Sequence, residues 1–242
     1  MHEARGKQMD TTLAPEKCGR SADRVYDQLK LMAVTYQFRP GERINEVDLS
    51  RQLSISRTPV REALNRLAAE GFLTSVTNRG FFGRKLDAKE ILDLYEHRCL
   101  LEQAIVRLAC ERASDDELEE LVRFVEGSQA DPAQQPLEVL RDDEEFHLRI
   151  ARLTRNAELV RSLSAINSRI HFVRWIDLRT RARSKDAHLR LAHLLRQRDQ
   201  ERAAEQVGGM IRRRYEQIVE VIRAGIAEIY LAPETELRSI AI

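Results

Sequence analysis

The stretch SISRTPVREALNRLAAEGFL, residues 54–73, decides the first half of the fold. Its apolar residues recur at i, i+3, i+4, i+7 and i+8, which predicts an amphipathic helix with one buried face. These apolar positions are Val60, Ala63, Leu64, Leu67 and Ala68. Ser56 or Thr58 is a suitable N-cap, Pro59 is tolerated in a first turn, and Gly71 is a suitable stop.

The neighbouring segments place this helix in a larger motif. Residues 44–53 have a short helical pattern, and only Ser-Ile-Ser separates them from the next helix, which is the turn length of a helix-turn-helix. Residues 72–77 and 81–86 are rich in β-forming residues and flank the turn sequence Asn-Arg-Gly. Helix, turn, helix and hairpin in this order predict a winged helix-turn-helix, which inserts its second helix into the major groove of DNA.

Polar residues at the start of the second helix are suited to reading DNA. Arginine can donate two hydrogen bonds to a guanine edge, and a helix N-terminus offers free N–H groups to a phosphate. The predicted DNA-binding residues are Ser56, Arg57, Thr58, Arg61 and Asn65 on the helix, with Arg79 and Gly80 at the tip of the wing. The alternative for the helix is a solvated face with local charge pairing, which is common on protein surfaces.

The whole segment from residue 38 to residue 73 resembles a known family. FRPGERINEVDLSRQLSISRTPVREALNRLAAEGFL is similar to the DNA-binding domain of the GntR family of bacterial transcription regulators, and the similarity extends over residues 20–86. The resemblance implies that the protein binds double-stranded operator DNA.

Length and charge indicate two domains with different partners. The 242 residues are enough for two modest domains. Residues 1–86 contain 15 Lys and Arg against 10 Asp and Glu, whereas the remaining residues contain 25 against 29. We predict a flexible leader over 1–19, the winged helix over 20–86, a helical domain over 87–224 and a tail over 225–242. The basic first half is consistent with binding to phosphate.

The second half has helical periodicity nearly throughout and no strand signal, so the predicted fold class is mainly α. Six helices with short connections are expected in residues 87–224, which indicates a bundle. Ser114 and Glu117 form a capping box for the second of these helices.

Cysteine spacing and hydropathy indicate the cellular compartment of the protein. Cys18, Cys99 and Cys110 are too few and too widely spaced to indicate a disulfide framework. No apolar run reaches the length of a membrane span, and the first twenty residues lack the apolar segment of a signal peptide. These features predict a cytoplasmic protein without a membrane partner.

One group of residues in the helical half could hold a metal or a ligand. Asp143 and His147 are four positions apart and share a helical face, and His188 begins the fifth predicted helix. Carboxylate and imidazole suit divalent ions such as Zn or Ni. The alternative from the residues alone is a surface Asp–His pair.

The helical half resembles the FCD effector domain of the FadR-type branch of the GntR family, and its six predicted helices are similar to the VanR-like subgroup. Matching residues are Arg98, Glu102, Asp143, Phe146, His147, Asn156 and His188. The resemblance implies a metal held by one Asp and three His that helps to bind a small organic acid. The third histidine position is Met210 here, and a thioether is a poor ligand for such ions.

Two ways of binding the effector therefore stay open. His171 could replace the missing ligand, or the pocket could hold the acid directly through Arg98, Arg174 and the histidines. The predicted effector-binding residues are Arg98, Asp143, His147, Asn156, Arg174 and His188.

The sequence as a whole predicts a homodimeric regulator, a repressor, whose operator affinity depends on a small carboxylate. One alternative is a metal-dependent hydrolase or lyase that uses Asp143, His147 and His188, although no second carboxylate or nucleophile motif accompanies them. Another is an architectural DNA-binding protein whose bundle only dimerises.

Overall fold

The structure is a computed structural model that describes residues 16–127, 136–180, 185–215 and 217–231. Within these residues the chain forms ten helices and a single two-stranded sheet. The predicted mainly α architecture, with a winged helix before a helical domain, is confirmed.

The winged helix-turn-helix occupies the N-terminal part of the described chain. It consists of α1 (Glu16–Val34), α2 (Glu46–Gln52), α3 (Arg57–Ala69), β1 (Leu73–Val76) and β2 (Gly80–Gly83). The apolar stripe predicted for the second helix is the buried face of α3 and packs against α1 and α2. The start of α3 is thereby left at the surface.

The predicted leader is shorter than expected at its C-terminal end. α1 already begins at Glu16, and residues 1–15 lie outside the described residues. An acid such as Glu16 is favoured near a helix N-terminus. Gly19 disfavours a helix by about 1 kcal/mol, but α1 runs through it.

Local capping fixes the two helices of the motif. Asn45 caps α2, because its side-chain oxygen accepts hydrogen bonds from the N–H groups of Val47 and Asp48. Gly71, with φ of 78°, follows the C-cap of α3 in the left-handed region that glycine adopts readily.

The wing is joined to the segment before α2. β1 and β2 are antiparallel, with Leu73 opposite Gly83. On its other edge β2 is bridged by Pro40 and Arg43, so residues 40–43 form a short third arm of the sheet. A Cβ on Gly83 would lie 2.2 Å from the carbonyl oxygen of Arg39, and the close approach of these two segments therefore requires glycine.

Seven helices follow in the described residues after 87. They are α4 (Ala88–Arg112), α5 (Asp115–Gly127), α6 (Pro136–Leu153), α7 (Ala157–Thr180), α8 (Lys185–Arg196), α9 (Gln200–Tyr215) and α10 (Ile218–Leu231). The predicted capping box at the start of α5 is confirmed, since Ser114 and Glu117 exchange hydrogen bonds.

The count of six helices was wrong at the C-terminal end. The predicted sixth helix, 199–224, is divided into α9 and α10, and the tail predicted from residue 225 begins inside α10. No glycine or proline marks the division in the sequence, so the helical period runs across it. α10 instead packs its buried Ile218 and Ile222 against the bundle, mainly α7.

α4 lies at the centre of the helical domain and packs against α6, α7 and α9. The apolar core formed around it also includes Tyr36, which follows α1 of the winged helix. Within the described part of the chain, no helix is both long enough and apolar enough to cross a membrane.

Candidate functional site

The exposed start of α3 is the first candidate site. Arg57, Thr58, Arg61 and Asn65 are all exposed, as the amphipathic pattern predicted. Arg57 and Arg61 form no ion pair with any residue in the described ranges, so the local charge pairing considered as an alternative is not found there. Ser56 is at the N-cap position but makes no capping hydrogen bond through its side chain. This surface therefore offers unpaired donors at a helix N-terminus.

The wing adds a second group of cations. Arg79 is exposed and its guanidinium lies 5.9 Å from the ring centre of Phe82. Gly80 has φ of 90°, which permits the tight turn beside it. The sequence did not single out Arg43, whose exposed side chain has its Nε 3.8 Å from the Cβ position of Gly80. The wing turn is thus flanked by two arginines, and only the bridge between residue 43 and β2 reveals the second.

A buried cluster of charged side chains in the helical domain is the second candidate site. Asp143, His147 and His188 are buried, and each offers a ligand atom within 4.8 Å of the others. His188 Nε2 lies 3.2 Å from Asp143 Oδ1, while Arg174 donates a hydrogen bond to Asp143 Oδ2. Burial raises the pKa of Asp143, but Arg174, His188 and His147 outweigh it and hold the pKa well below its usual value. The carboxylate is therefore ionised.

Glu102 connects this cluster to α4. Arg98 Nε donates to Glu102 Oε1 at 2.5 Å, and His147 Nδ1 lies 2.5 Å from Glu102 Oε2. Burial raises the pKa of Glu102, but the charges and hydrogen bonds of Arg98 and His147 outweigh burial and lower the pKa to about 2. Because Glu102 holds Nδ1, the Nε2 atom of His147 is the one left for a ligand.

Arg174 and Glu144 extend the network of ion pairs beyond Asp143. Arg174 also donates to Glu144 Oε1 at 3.0 Å and to Asn167 Oδ1 at 3.4 Å. His171 Nδ1 lies 3.4 Å from Glu144 Oε1, so the nearest charged partner of this histidine is Glu144. His171 is not in the group of three whose ligand atoms lie within 4.8 Å of one another.

Most of the effector residues predicted from the sequence are brought together. Arg98, Asp143, His147, Arg174 and His188 are buried in one network. Asn156 has a different task, because its side-chain oxygen caps α7 by accepting from the N–H groups of residues 158 and 159. Glu144 and Asn167 were not predicted as site residues. The partner of Glu144 lies on another helix, and the partner of Asn167 lies two turns away on α7.

The donor set of this cluster suits a divalent ion only in part. One carboxylate and two imidazoles are ligands that Zn or Ni accepts, and three protein ligands leave positions open. Arg174, however, already binds one oxygen of Asp143 and would repel an entering cation. Met210 is half-buried and packs against the apolar core. The cluster is therefore a three-ligand site with a competing internal cation.

Comparisons with known proteins match both domains of the chain. The family model described as bacterial regulatory proteins, gntR family, matches residues 21–82, and the model of the FCD domain matches residues 93–213. The Nta operon transcriptional regulator of Aminobacter aminovorans is 49% identical over 199 residues, which cover 82% of this chain and 95% of that protein.

Two further similarities extend over most of the chain. The HTH-type transcriptional regulator YdhC of Bacillus subtilis (strain 168) is 31% identical over 187 residues, covering 75% of this chain and 84% of that protein. The solved structure of a GntR transcriptional regulator from Rhodococcus sp. RHA1 has a TM-score of 0.62 at 22% identity, covering 83% of this chain and 98% of that one.

Proposed function

Because the chain belongs to the GntR family of bacterial transcription regulators and carries an FCD domain, we propose that it binds operator DNA through α3 and a small carboxylate in its helical domain. Its domains and the relatives named above are those of regulators, so the chain is not an enzyme, and the hydrolase alternative is set aside. Since its target would be chromosomal DNA, the proposed place of action is the cytoplasm.

DNA recognition is assigned to two surfaces. Arg57 and Arg61 would read base edges in the major groove, while Ser56, Thr58 and Asn65 approach the duplex beside them. Arg79 and Gly80 would contact the flanking groove or backbone, with Arg43 as an added phosphate contact. The observation that carries this assignment is that Arg57 and Arg61 are exposed and free of ion pairs in the described residues, whereas Arg66 on the same helix pairs with Asp23.

Effector binding is assigned to the buried cluster. A carboxylate ligand needs fixed donors in a site shielded from water, and charge-assisted hydrogen bonds from arginine supply about twice the strength of neutral ones. Arg98, Arg174, His147 and His188 are buried cations or donors close to one another. A bound acid would compete with Asp143 for Arg174 and so rearrange α6 against α7.

Control of transcription then follows from two conformations with different operator affinity. A ligand shifts such an equilibrium only by its difference in affinity for the two states. We propose that the ligand-free dimer represses and that the acid favours the state with lower operator affinity.

Operator affinity measured with and without small organic acids tests this function. DNA enriched by the protein from random sequences serves as the operator, and the Arg174→Met variant serves as the control. We expect an acid to change wild-type affinity by about 5- to 150-fold and to leave the variant unchanged. An equal change in both proteins would show that the acid acts elsewhere.

A metal is a separate part of the proposal. If a divalent ion binds, Asp143, His147 and His188 would hold it, and the ion would supply positive charge for the effector carboxylate. With three protein ligands and Arg174 beside Asp143, we expect wild type to bind Zn or Ni weakly.

The Met210→His variant tests the fourth position. If residue 210 can reach the cluster, the added imidazole should strengthen Zn binding by at least tenfold, because four protein ligands complete a tetrahedral site. Calorimetric titration of both proteins measures this. Unchanged Zn affinity together with a lower melting temperature would mean that residue 210 is only part of the apolar core, where an unpaired imidazole is unfavourable. Tight binding by wild type that survives His171→Ala would contradict the expected weak site.

The protein is expected to be a dimer without DNA. One winged helix reads a single half-site, and specific affinity usually needs two, spaced by one helical turn or a multiple. Apolar side chains at the surface, among them Leu100 on α4 and Tyr230 on α10, suit self-association. Sedimentation at micromolar concentration should give twice the chain mass of 28.0 kDa. A monomer that protects only one half-site would contradict the proposal.

A further inference from the structure

The winged helix is attached to the helical domain through α7. The ring of Tyr36, just after α1, lies 4.9 Å from the ring of Phe172 on α7. Tyr36 is 2% exposed and has φ of 56°, a conformation that is uncommon for a residue other than glycine. The backbone of the winged helix thus adopts an unfavourable conformation at the point where it meets α7.

Arg84 forms the polar part of this attachment. It lies between β2 and α4, and its side chain is only 11% exposed. One Nη donates to Tyr36 Oη at 3.1 Å and to the backbone oxygen of Arg169 at 2.9 Å, while the other donates to Glu90 Oε1 at 3.3 Å. A single guanidinium therefore joins the end of α1, the middle of α7 and the start of α4.

Arg169 adds a second connection from α7. Its Nη donates to Glu90 Oε1 at 2.6 Å, the same atom that Arg84 reaches. Its Nε lies 3.6 Å from the Cβ position of Gly71, in the turn between α3 and β1. α7 is consequently in contact with the end of the helix that would read DNA. We call Tyr36, Arg84, Glu90, Arg169 and Phe172 the α7 clasp.

The side of α7 opposite the clasp faces the buried cluster. Asn167, His171 and Arg174 belong to that cluster, and they follow the helical spacing i, i+4, i+7. The clasp residues Arg169 and Phe172, with the neighbouring Ile176, follow the spacing i, i+3, i+7. At 3.6 residues per turn, the two sets point about 170° apart around the helix axis. α7 therefore carries cluster residues on one side and clasp residues on the other, within the same two turns.

α10 packs on the clasp side of α7. A Cβ on Gly225 of α10 would lie 3.2 Å from Phe172 and 3.3 Å from Leu86, so α10 packs closely over the clasp. A helix that is packed on two opposite sides moves as a unit rather than bending, because packed interiors have few alternative arrangements.

We propose that Arg84 is a positioning residue that couples the buried cluster to DNA reading, because it ties the winged helix to the clasp side of α7. The inference rests on the proposed function. A ligand that competes for Arg174 would shift α7, and the shift would reach α1 and the end of α3 through Arg84, Arg169 and Tyr36. Coupling between two sites is reciprocal, so DNA binding must change the affinity of the cluster for its ligand by the same factor, and we expect this change to be visible on the cluster side of α7.

Hydrogen exchange on operator binding tests the coupling without knowledge of the effector. In wild type, saturating operator DNA should slow or accelerate amide exchange over residues 167–174 by at least about fivefold. In Arg84→Met, which keeps the length of the side chain but has no donors, this change should disappear while the variant still binds operator. Arg84→Lys retains the charge but cannot reach three partners at once, so it should lose most of the change as well.

Arg198→Met is the matched control. Arg198 also donates to backbone oxygens and to a carboxylate, but all its partners, Cys110, Ala113 and Asp115, lie within the helical domain or its connections. This variant should lose stability and keep the exchange response. A purely structural role of Arg84 predicts the same behaviour for both arginine variants.

Each outcome has a distinct meaning. If wild type binds operator and residues 167–174 do not respond, or if Arg84→Met keeps the response, the coupling inference is wrong and the proposed function stands. If wild type enriches no DNA sequence at all, the proposed function fails and the inference fails with it. If Arg84→Met does not fold, Arg84→Lys decides the inference, because an unchanged exchange response in that variant would equally show that Arg84 does not carry the coupling.

Discussion

Replacing Glu102 with alanine is expected to lower the free energy of unfolding by about 3–5 kcal/mol, because it leaves Arg98 buried without its partner. Glu102 is 2% exposed and contacts Arg98 and His147 at 2.5 Å each. Urea denaturation followed by circular dichroism measures the loss. Glu158→Ala provides the control, since the exposed pair of Glu158 and Arg161 is screened by water, and its removal should change stability little.

The double variant Glu102→Ala, Arg98→Met separates pairing from packing. Removing both charges also removes the unpaired guanidinium, so the double variant should recover much of the lost stability. If the loss of unfolding free energy in the double variant equals the sum of the losses in the two single variants, the two side chains act independently. That result would contradict the network.

Acid should weaken the same pair. The pKa of Glu102 is about 2 in the folded protein, below its ordinary value of 4.5. A group with a lowered folded pKa stabilises the protein above its unfolded pKa and loses that contribution as pH falls through the folded value. The difference in stability between wild type and Glu102→Ala should therefore be constant above pH 4.5 and shrink between pH 4.5 and 2. A difference that grows with acid would be inconsistent with an ionised Glu102.

The second large effect is expected at the start of α3. Arg57→Ala and Arg61→Ala should each weaken specific operator binding by about 1–3 kcal/mol and relax the base preference at one position. Both side chains are exposed and unpaired in the described residues, so the melting temperature should not change. Fluorescence anisotropy with operator and with unrelated DNA separates loss of specificity from loss of charge.

Arg66→Ala is a useful comparison on the same helix. Arg66 pairs with Asp23 at 3.5 Å and lies 3.9 Å over the ring of Tyr26, so it is held against α1 rather than directed outward. Its loss should not alter base preference. Arg43→Ala should weaken binding to all sequences alike and reduce the salt slope by about one. If Arg57→Ala and Arg61→Ala bind operator like wild type, α3 does not read DNA as proposed.

The winged helix was predictable because its signals are local. The apolar spacing of α3 and the glycine after α3 act over a few residues, and each appears in the structure where the sequence placed it. The cluster was predictable only in part. Asp143 and His147 share a helical turn, whereas their contacts with Glu102 and Arg174 join residues far apart in sequence.

The remaining features depend on packing that no short pattern records. Arg84 meets Arg169 across 85 positions, and nothing in the segment around residue 84 distinguishes it from a solvated arginine. Likewise, the division between α9 and α10 is set by how Ile218 and Ile222 pack on the bundle. Periodicity identifies the buried face of a helix but not the partner that covers it.

Selection of DNA from a random-sequence pool by the full chain tests the central claim most directly. A homodimer that reads DNA through α3 should enrich a two-fold symmetric sequence whose half-sites lie one helical turn apart or a multiple of it. The variant lacking both Arg57 and Arg61 side chains, carried through the same selection, should enrich no such sequence. Enrichment of the same sequence by both proteins, or of none by wild type, would contradict the account.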